Sequence, residues 1–516
     1  MNWKRYKSLP EKEKREEIYY IIGLDIGNDS SGIAFYNMVD KEPEIIDLSG
    51  GYGRPTIPTA IQYIVESKEW VFGEYAILNR GMGREITLID LIERLGSSDY
   101  VDIDNRPVSL INLLGMYIKE LLSAVKNINP KAEIAGIVAS VPSYLSIQAR
   151  EELVLAFKKA GYGKELIGLV SDRECVFSYV SHESERHPDG NSLLIDYGAR
   201  EVRGGVYSHI DENTLKSLSS LFENNIGTRM IERQVKKQFT DYYKANNPLQ
   251  AHQGLDRHVK EQLMAFTYQH KDILFQKAIR SKAAKLYFNF AFPPFQQSVD
   301  KSEADRLIEP FRKNFDQFIR QVLEKTGKVS AADIDVVICI GGGFEMLWAR
   351  EALGALFPRR KLRLYKNSKA INAMGAAVAA AQLLGAAEGQ PVTVEDRHQL
   401  AVDIGIMFGD KRFVPLAECN SFWWQPHPAR MFIVNAPVMC GVEIPFEILS
   451  KSPAGETNVL SNTPLRDLPE RPKGTTRLSV RLKFESDSEA TATVSDCGFG
   501  EMFPRTGYEQ EIVIKI

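Results

Sequence analysis

Cysteine is scarce in this chain: five in 516 residues, at Cys175, Cys339, Cys419, Cys440 and Cys497. None has the spacing of a metal cluster, so reduced structural thiols are expected. No apolar run is long enough to cross a bilayer, which argues against membrane insertion through a helix. The opening stretch, MNWKRYKSLPEKEKREE, is charged and lacks the apolar core of a signal peptide, so a cytoplasmic location is expected. Charge of one sign is missing too. The 64 Lys and Arg against 67 Asp and Glu leave a net −3, which gives no reason to expect nucleic acid as a partner.

What is present is an ordinary globular composition, 44% hydrophobic and 25% charged, over a length that predicts two or three folded units. Residues 1–17 read as a polar arm, 18–387 as an α/β unit, 388–402 as a linker and 403–516 as an all-β unit.

The α/β unit is marked by recurring blocks. IIGLDIGNDSSGIAF (Ile21 to Phe35) is an apolar strand that carries Asp25 and Gly27 into a tight turn, after which a second strand leaves. Such a turn presents backbone N–H groups to phosphates, and Asp25 is placed to orient the waters of Mg2+. An ordinary hairpin with one exposed Asp has the same pattern. SLLIDYGAREVRGGVY (Ser192 to Tyr207) repeats the design with Asp196 and Gly198. A further strand, Glu133 to Leu145, ends at Val141-Pro142. IDVVICIGGGFEML runs an apolar strand into Gly341, Gly342 and Gly343, and NAMGAAVAAAQLL (Asn372 to Leu384) is a small-residue helix. Each block is weak alone; their order and spacing together are a strong signal.

In that order the blocks resemble the Hsp70 chaperone family of the actin-like ATPase superfamily. GRPTIPTAI (Gly53 to Ile61) and VFGEYA (Val71 to Ala76) add to the likeness. The resemblance implies a two-lobed, actin-like ATPase-type domain that binds ATP or ADP with Mg2+ between its lobes. It implies Asp25, Asp172 and Asp196 as the catalytic group, with Asp25 and Asp196 on the metal. Gly27, Asn28, Gly198, Gly227, Lys271 and Gly341 to Gly343 would lie on the nucleotide.

The departures are as informative. Asp29 stands where the family turns hydroxyl groups toward phosphate. Two like charges about 4 Å apart repel by about 4 kcal/mol at an effective dielectric of about 20. Asp29 must therefore point away, be screened, or weaken triphosphate binding. The family's catalytic lysine maps to Ile92 or Glu93, with Arg94 two residues on. After Leu169, Asp172 and Arg173 replace a Glu-Pro pair. The second phosphate turn reads Ala199, Arg200, Glu201, Val202 instead of glycines with a catalytic threonine. Arg200 or Arg203 could grip a phosphate, against the charge of Glu201; a solvated loop fits the same residues. Phe344 and Glu345 replace the hydroxyl and arginine of the base site, so Phe344 either stacks on a base or packs in the core.

Beyond the linker, TTRLSVRLKFES (Thr475 to Ser486) alternates with period two, EATATVSD continues it, and EQEIVIKI closes the chain. With FVPLAECNSF (Phe413 to Phe422), this resembles the β-sandwich substrate-binding unit of Hsp70 proteins. The sandwich ends where the chain does, so the helical lid is expected to be missing. Phe422, Trp423, Trp424, Met431 and Phe432 are candidate contacts for extended polypeptide clients, or else sandwich core. The resemblance implies an apolar docking linker at Asp396 to Leu400; the stretch is mostly polar here, which predicts weak coupling between the units, and a longer, merely flexible connector fits it equally. Two functions are expected to compete. One is an Hsp70-like chaperone with weak or lost hydrolysis, served by a co-chaperone. The other is a non-enzymatic pseudo-ATPase scaffold. A small-molecule kinase is a third, for which no substrate-facing base stands out.

Overall fold

The computed structural model describes residues 19–49, 53–80, 83–96, 100–104, 106–143, 145, 147–183, 190–248, 254–280, 283–395, 400, 402–407, 412–419, 421, 423, 427–452, 455–484 and 489–516. The N-terminal arm and most of the expected polar linker stretch lie outside these residues. The chain divides into two compact units, one built from residues 1–143 and 147–395 and one from residues 144–146 and 396–516.

The first unit is organised by two sheets of the same plan. In one, β1 (Tyr19–Ile26), β2 (Ser30–Asn37) and β3 (Glu42–Ile45) form an antiparallel meander. β4 (Glu133–Val141) then lies parallel to β1 on its other side, and β5 (Leu166–Ser171) parallel to β4. The second sheet repeats this. β6 (Asn191–Tyr197), β7 (Val202–His209) and β8 (Thr214–Glu223) form the meander, β9 (Ile334–Ile340) lies parallel to β6, and β10 (Leu362–Leu364) parallel to β9. Each sheet, with the elements around it, is a lobe. Two Asp-x-Gly turns therefore end equivalent strands, which explains the repeat in the sequence.

Parallel strands are covered on both faces, and their residues are accordingly apolar without alternation. Ile21, Ile22 and Leu24 are wholly buried, as are Val337, Ile338 and Cys339. Helix α1 (Leu110–Ile128) starts at Ser109, whose side chain accepts from the Asn112 amide at 3.3 Å. Leu113, Leu114, Tyr117, Ile118, Leu121, Leu122 and Val125 bury one face of it, each burial adding about 1.5–3 kcal/mol. α2 (Asp172–Glu183) follows β5. α3 (Thr228–Asn246), α4 (Arg257–Arg280) and α5 (Lys301–Glu324) belong to the second lobe. In that lobe Phe239, Phe266, Phe288, Phe315 and Phe344 share one aromatic-rich core.

α6 (Ile371–Leu384) explains its own run of Ala and Gly. A Cβ on Gly375 would stand 1.8 Å from the Cys175 carbonyl of α2, and one on Gly23 of β1 would stand 2.1 Å from the Ala373 carbonyl of α6. Only glycine permits these two approaches.

The first unit extends further than the sequence suggested. β11 (Thr393–Glu395), within the expected linker, pairs in parallel with β8. A few backbone hydrogen bonds fix residues whose composition reads as a connector.

The second unit is two four-stranded antiparallel sheets. One has the order β13 (Phe413–Ala417), β12 (Asp403–Met407), β15 (Glu447–Lys451), β16 (Thr457–Asn462). The other has the order β14 (Arg430–Val434), β17 (Thr476–Phe484), β18 (Glu489–Asp496), β19 (Glu509–Lys515). Leu478, Val480, Leu482 and Phe484 are buried on one face of β17, and their core includes Ile404, Leu416 and Ile448 of the other sheet. Arg481 and Lys483 face out. Of the candidate client contacts, Met431 is 67% exposed, while Trp423 and Phe432 pack against the sandwich core. Phe422 and Trp424 lie outside the described residues.

Candidate functional site

The two Asp-x-Gly turns close alike. The Gly27 amide donates to the Ser30 carbonyl, and the Gly198 amide to the Glu201 carbonyl, each at 3.0 Å. Asp25 and Asp196 are the next-to-last residues of β1 and β6, and Asp172 begins α2. Oδ1 of Asp172 accepts from the amides of Ser143 at 3.2 Å and Arg173 at 2.9 Å. The three sequence-predicted carboxylates therefore come together, electrostatically coupled to one another.

The side chain among them is Arg203. It stands opposite Asp196 in the β6–β7 ladder. Its Nη1 pairs with Asp172, its Nη2 lies 3.6 Å from Asp196 Oδ2, and its Nε 3.1 Å from Glu201 Oε1. One guanidinium cannot neutralise four carboxylates. Loss of solvent pushes the Asp25 carboxyl up to about 7, helped by the negative charges of Asp196 and Asp172 and opposed by Arg203. Loss of solvent likewise holds Asp196 at about 6, with Arg203 opposing and Asp172 and Glu201 adding to it.

Above this cluster, the turn tips carry charges that cross between lobes. Asp29 is paired with a cation of its own chain. Its Oδ1 receives Arg229 Nε at 3.1 Å, and Arg229 Nη1 reaches Asp90 at 2.5 Å. Arg229 lies in the first turn of α3, where its amide donates to the Ala199 carbonyl at 2.7 Å. Arg200 pairs with Glu93, one of the two residues to which the resemblance assigns the lysine position. Asn28 braces Glu93, its Oδ1 accepting the Glu93 amide at 2.9 Å. Sequence reading missed Arg229 and Asp90. The one available signal was Asp29 itself, since a carboxylate at such a turn demands a cation.

Groups of the same chain pack against Gly341, Gly342 and Gly343. Gly341 has φ of +89°, and a Cβ there would stand 2.7 Å from Asp196 Oδ1. The Tyr197 ring lies against Gly343, and the Lys369 side chain against Gly342. Lys369 also pairs with Glu345 at 3.1 Å. Phe344 is buried against Tyr197 and Phe315, so it is a core residue and presents no face to a base. Gly227 sits where any side chain would strike the Arg200 carbonyl. Lys271 pairs with Glu232 at 2.8 Å and lies over the Tyr268 ring.

Next to these groups is a cavity of about 690 Å3, bordered by both lobes. Asn28, Asp29, Arg229, Lys271 and Lys369 line it; Asp25, Asp172 and Asp196 do not. Its size suits a small molecule of nucleoside dimensions. The carboxylate cluster fits Mg2+ less well. That ion requires near-octahedral oxygens at about 2.0–2.1 Å and keeps several waters. A guanidinium already bridges Asp172 and Asp196. Among the described residues, no group of three or more His, Cys, Asp or Glu is arranged to hold a metal.

Residues 42–242 match a family described as a C-terminal family of unknown function, DUF5716. Residues 400–516 match a domain of unknown function, DUF8552. Among curated proteins, the chaperone protein DnaK of Thermosipho melanesiensis is 22% identical over 513 residues, spanning 96% of this chain and 80% of that protein. DnaK of Thermosipho africanus is 21% identical with the same coverage. Among the described residues, no helix is long and apolar enough to cross a membrane. The chain is thus distantly similar, along nearly its whole length, to chaperones of the DnaK (Hsp70) type.

Proposed function

We propose that the chain is an Hsp70-like, chaperone-type protein that takes ATP or ADP weakly between its lobes, has lost hydrolysis, and holds extended polypeptide on its β unit. One observation carries the loss of hydrolysis. The arginines placed to meet phosphate (Arg200, Arg203 and Arg229) are each engaged by carboxylates of their own chain. Phosphoryl transfer depends on positive charge free to stabilise the transition state. Here a polyphosphate must displace Glu93, Asp29 and Asp90 before it meets that charge.

The polypeptide reading is supported by β14. It is an edge strand, and Met431 and Ile433 are exposed on it at 67% and 47%. An unpaired edge with apolar side chains offers an extended segment both backbone hydrogen bonds and contacts. Fluorescent apolar peptides are expected to gain anisotropy with the full chain, and no gain across a varied panel would sink this part.

The cleft is tested by thermal-shift titration with ATP and ADP, alongside a phosphate-release assay. A saturable rise without turnover is expected; ligand at 100 times its dissociation constant adds about 2.7 kcal/mol. Turnover would refute the loss of hydrolysis. No rise at millimolar nucleotide would favour the scaffold reading, which the interlobe ion pairs also support because they hold the lobes without a ligand.

A further inference from the structure

We infer that Arg203 is the resident cation of this cleft, standing where a divalent ion would be held, so that whatever the cleft binds is bound without Mg2+. The inference rests on reading the first unit as a nucleotide clamp, and it goes beyond that reading by assigning the charge at its centre.

Three observations carry it. First, position: Arg203 projects from the strand paired with the one bearing Asp196 and lies directly opposite it. Second, coordination: its nitrogens address Asp172, Asp196 and Glu201 together. A planar guanidinium with five donors can serve several carboxylates at once, as a metal would, and it stays charged at every accessible pH. Third, rigidity: β7 is laddered on both sides, with Arg203 between Asp196 on β6 and Phe222 on β8. The side chain is fixed from a central strand, where a mobile loop could have swung it away.

The carboxylates are then structural partners of an arginine, although their places in the fold suggest metal ligands. Asp172 comes from the other lobe, so the same contact that fills the metal position also joins the lobes. A divalent ion bound there would face the guanidinium at close range, and one of the two would have to leave.

The test uses Mn2+ alone, with no nucleotide present, so that a failure of nucleotide binding leaves its result unaffected. Mn2+ prefers the same oxygen ligands as Mg2+, and its free ion is counted by electron paramagnetic resonance. The full-length wild type is expected to leave the free Mn2+ signal and its own melting temperature unchanged. Arg203→Ala is expected to remove one Mn2+ per chain from solution and to melt higher with the ion than with a chelator. Arg203→Gln, closer in size, serves if the alanine variant does not fold. Two results would overturn the inference. One is a wild type that binds one Mn2+ and loses it on Asp196→Asn. The other is a folded Arg203 variant that takes up none.

Discussion

Arg203 and Asp172 form an ion pair that joins the two lobes, the arginine from the central strand of one and the aspartate from the first residue of α2. Around that pair, Asp25 and Asp196 carry carboxyls pushed up to about 7 and about 6. Both values exceed the unfolded range near 4. Between about pH 4 and pH 7 the native state therefore binds more protons than the unfolded chain, and these groups lower stability as pH rises through that window. Asn in place of Asp25 mimics its protonated form. Asp25→Asn is expected to exceed the wild type by about 1–3 kcal/mol at pH 8, after discounting for partial exposure, and to match it near pH 4. Urea denaturation at the two pH values checks this. A variant less stable at pH 8 would mean that an ionised Asp25 is needed by Arg203.

The Arg229 contacts predict a different response. Arg229→Ala leaves Asp29 and Asp90, both on the first lobe, without the cation that the second lobe supplies. A cost of about 1–3 kcal/mol is expected, since the arginine is mostly shielded and its partners cannot replace it. The same variant should show faster amide exchange at the β1–β2 turn and at the start of α3, because the lobes part more easily. Unchanged exchange at both places would mean that Arg229 does not hold them. Asp90→Asn should reproduce part of the effect.

Much of this was legible in the sequence, for reasons that differ by residue. The strands ending at Asp25 and Asp196 were readable because buried parallel neighbours demand continuous apolar runs. α6 was readable because close helix packing demands Gly and Ala. β17 was readable because one buried sheet face imposes a period of two. Asp172 and Arg203 are 31 residues apart in sequence, and no local pattern links them. Arg229 and Asp29 are 200 apart. Charge pairs across a cleft depend on how the lobes close, and a one-dimensional pattern does not encode that. Phe344 was ambiguous for another reason: an aromatic after a glycine run serves a ligand or a core equally well until Tyr197 and Phe315 are seen against it.

Two glycines make a paired test of helix packing. Gly375 has the Cys175 carbonyl 1.8 Å from where a Cβ would be, and that obstacle is backbone. Gly375→Ala is expected to cost more than about 3 kcal/mol or to abolish soluble expression. Gly354, in the helix Leu347–Leu356, has nothing within 4 Å of its Cβ position. Gly354→Ala should be neutral or stabilising by up to about 1 kcal/mol, because alanine favours helix and loses less backbone entropy. Equal effects from the two substitutions, read by thermal melts, would contradict the close contact between α6 and α2.

The β unit holds an ion pair of another kind, between Arg471 and Asp496, 5% and 0% exposed. The guanidinium meets both carboxylate oxygens at 2.8 Å. Asp496 also accepts the Gly498 amide at 3.0 Å and both the amide and hydroxyl of Thr506 at 2.8 Å. Burial alone would raise this carboxyl, but Arg471 and those donors outweigh it and hold the pKa at about 2. The folded value lies below the unfolded one, so the contribution is fully present above about pH 4 and fades as pH falls through about 2, amounting to about 2 kcal/mol. Asp496→Asn in the full chain should cost about 3–5 kcal/mol at pH 7, because it strands a buried guanidinium. The Arg471→Met, Asp496→Leu double substitution removes both charges and should cost less than the single change. Denaturant melts of both variants at pH 7 and pH 3 decide the point. A double variant worse than the single would mean that the pair positions the segment from Gly498 to Thr506 by more than its charge, through hydrogen bonds that apolar packing cannot replace.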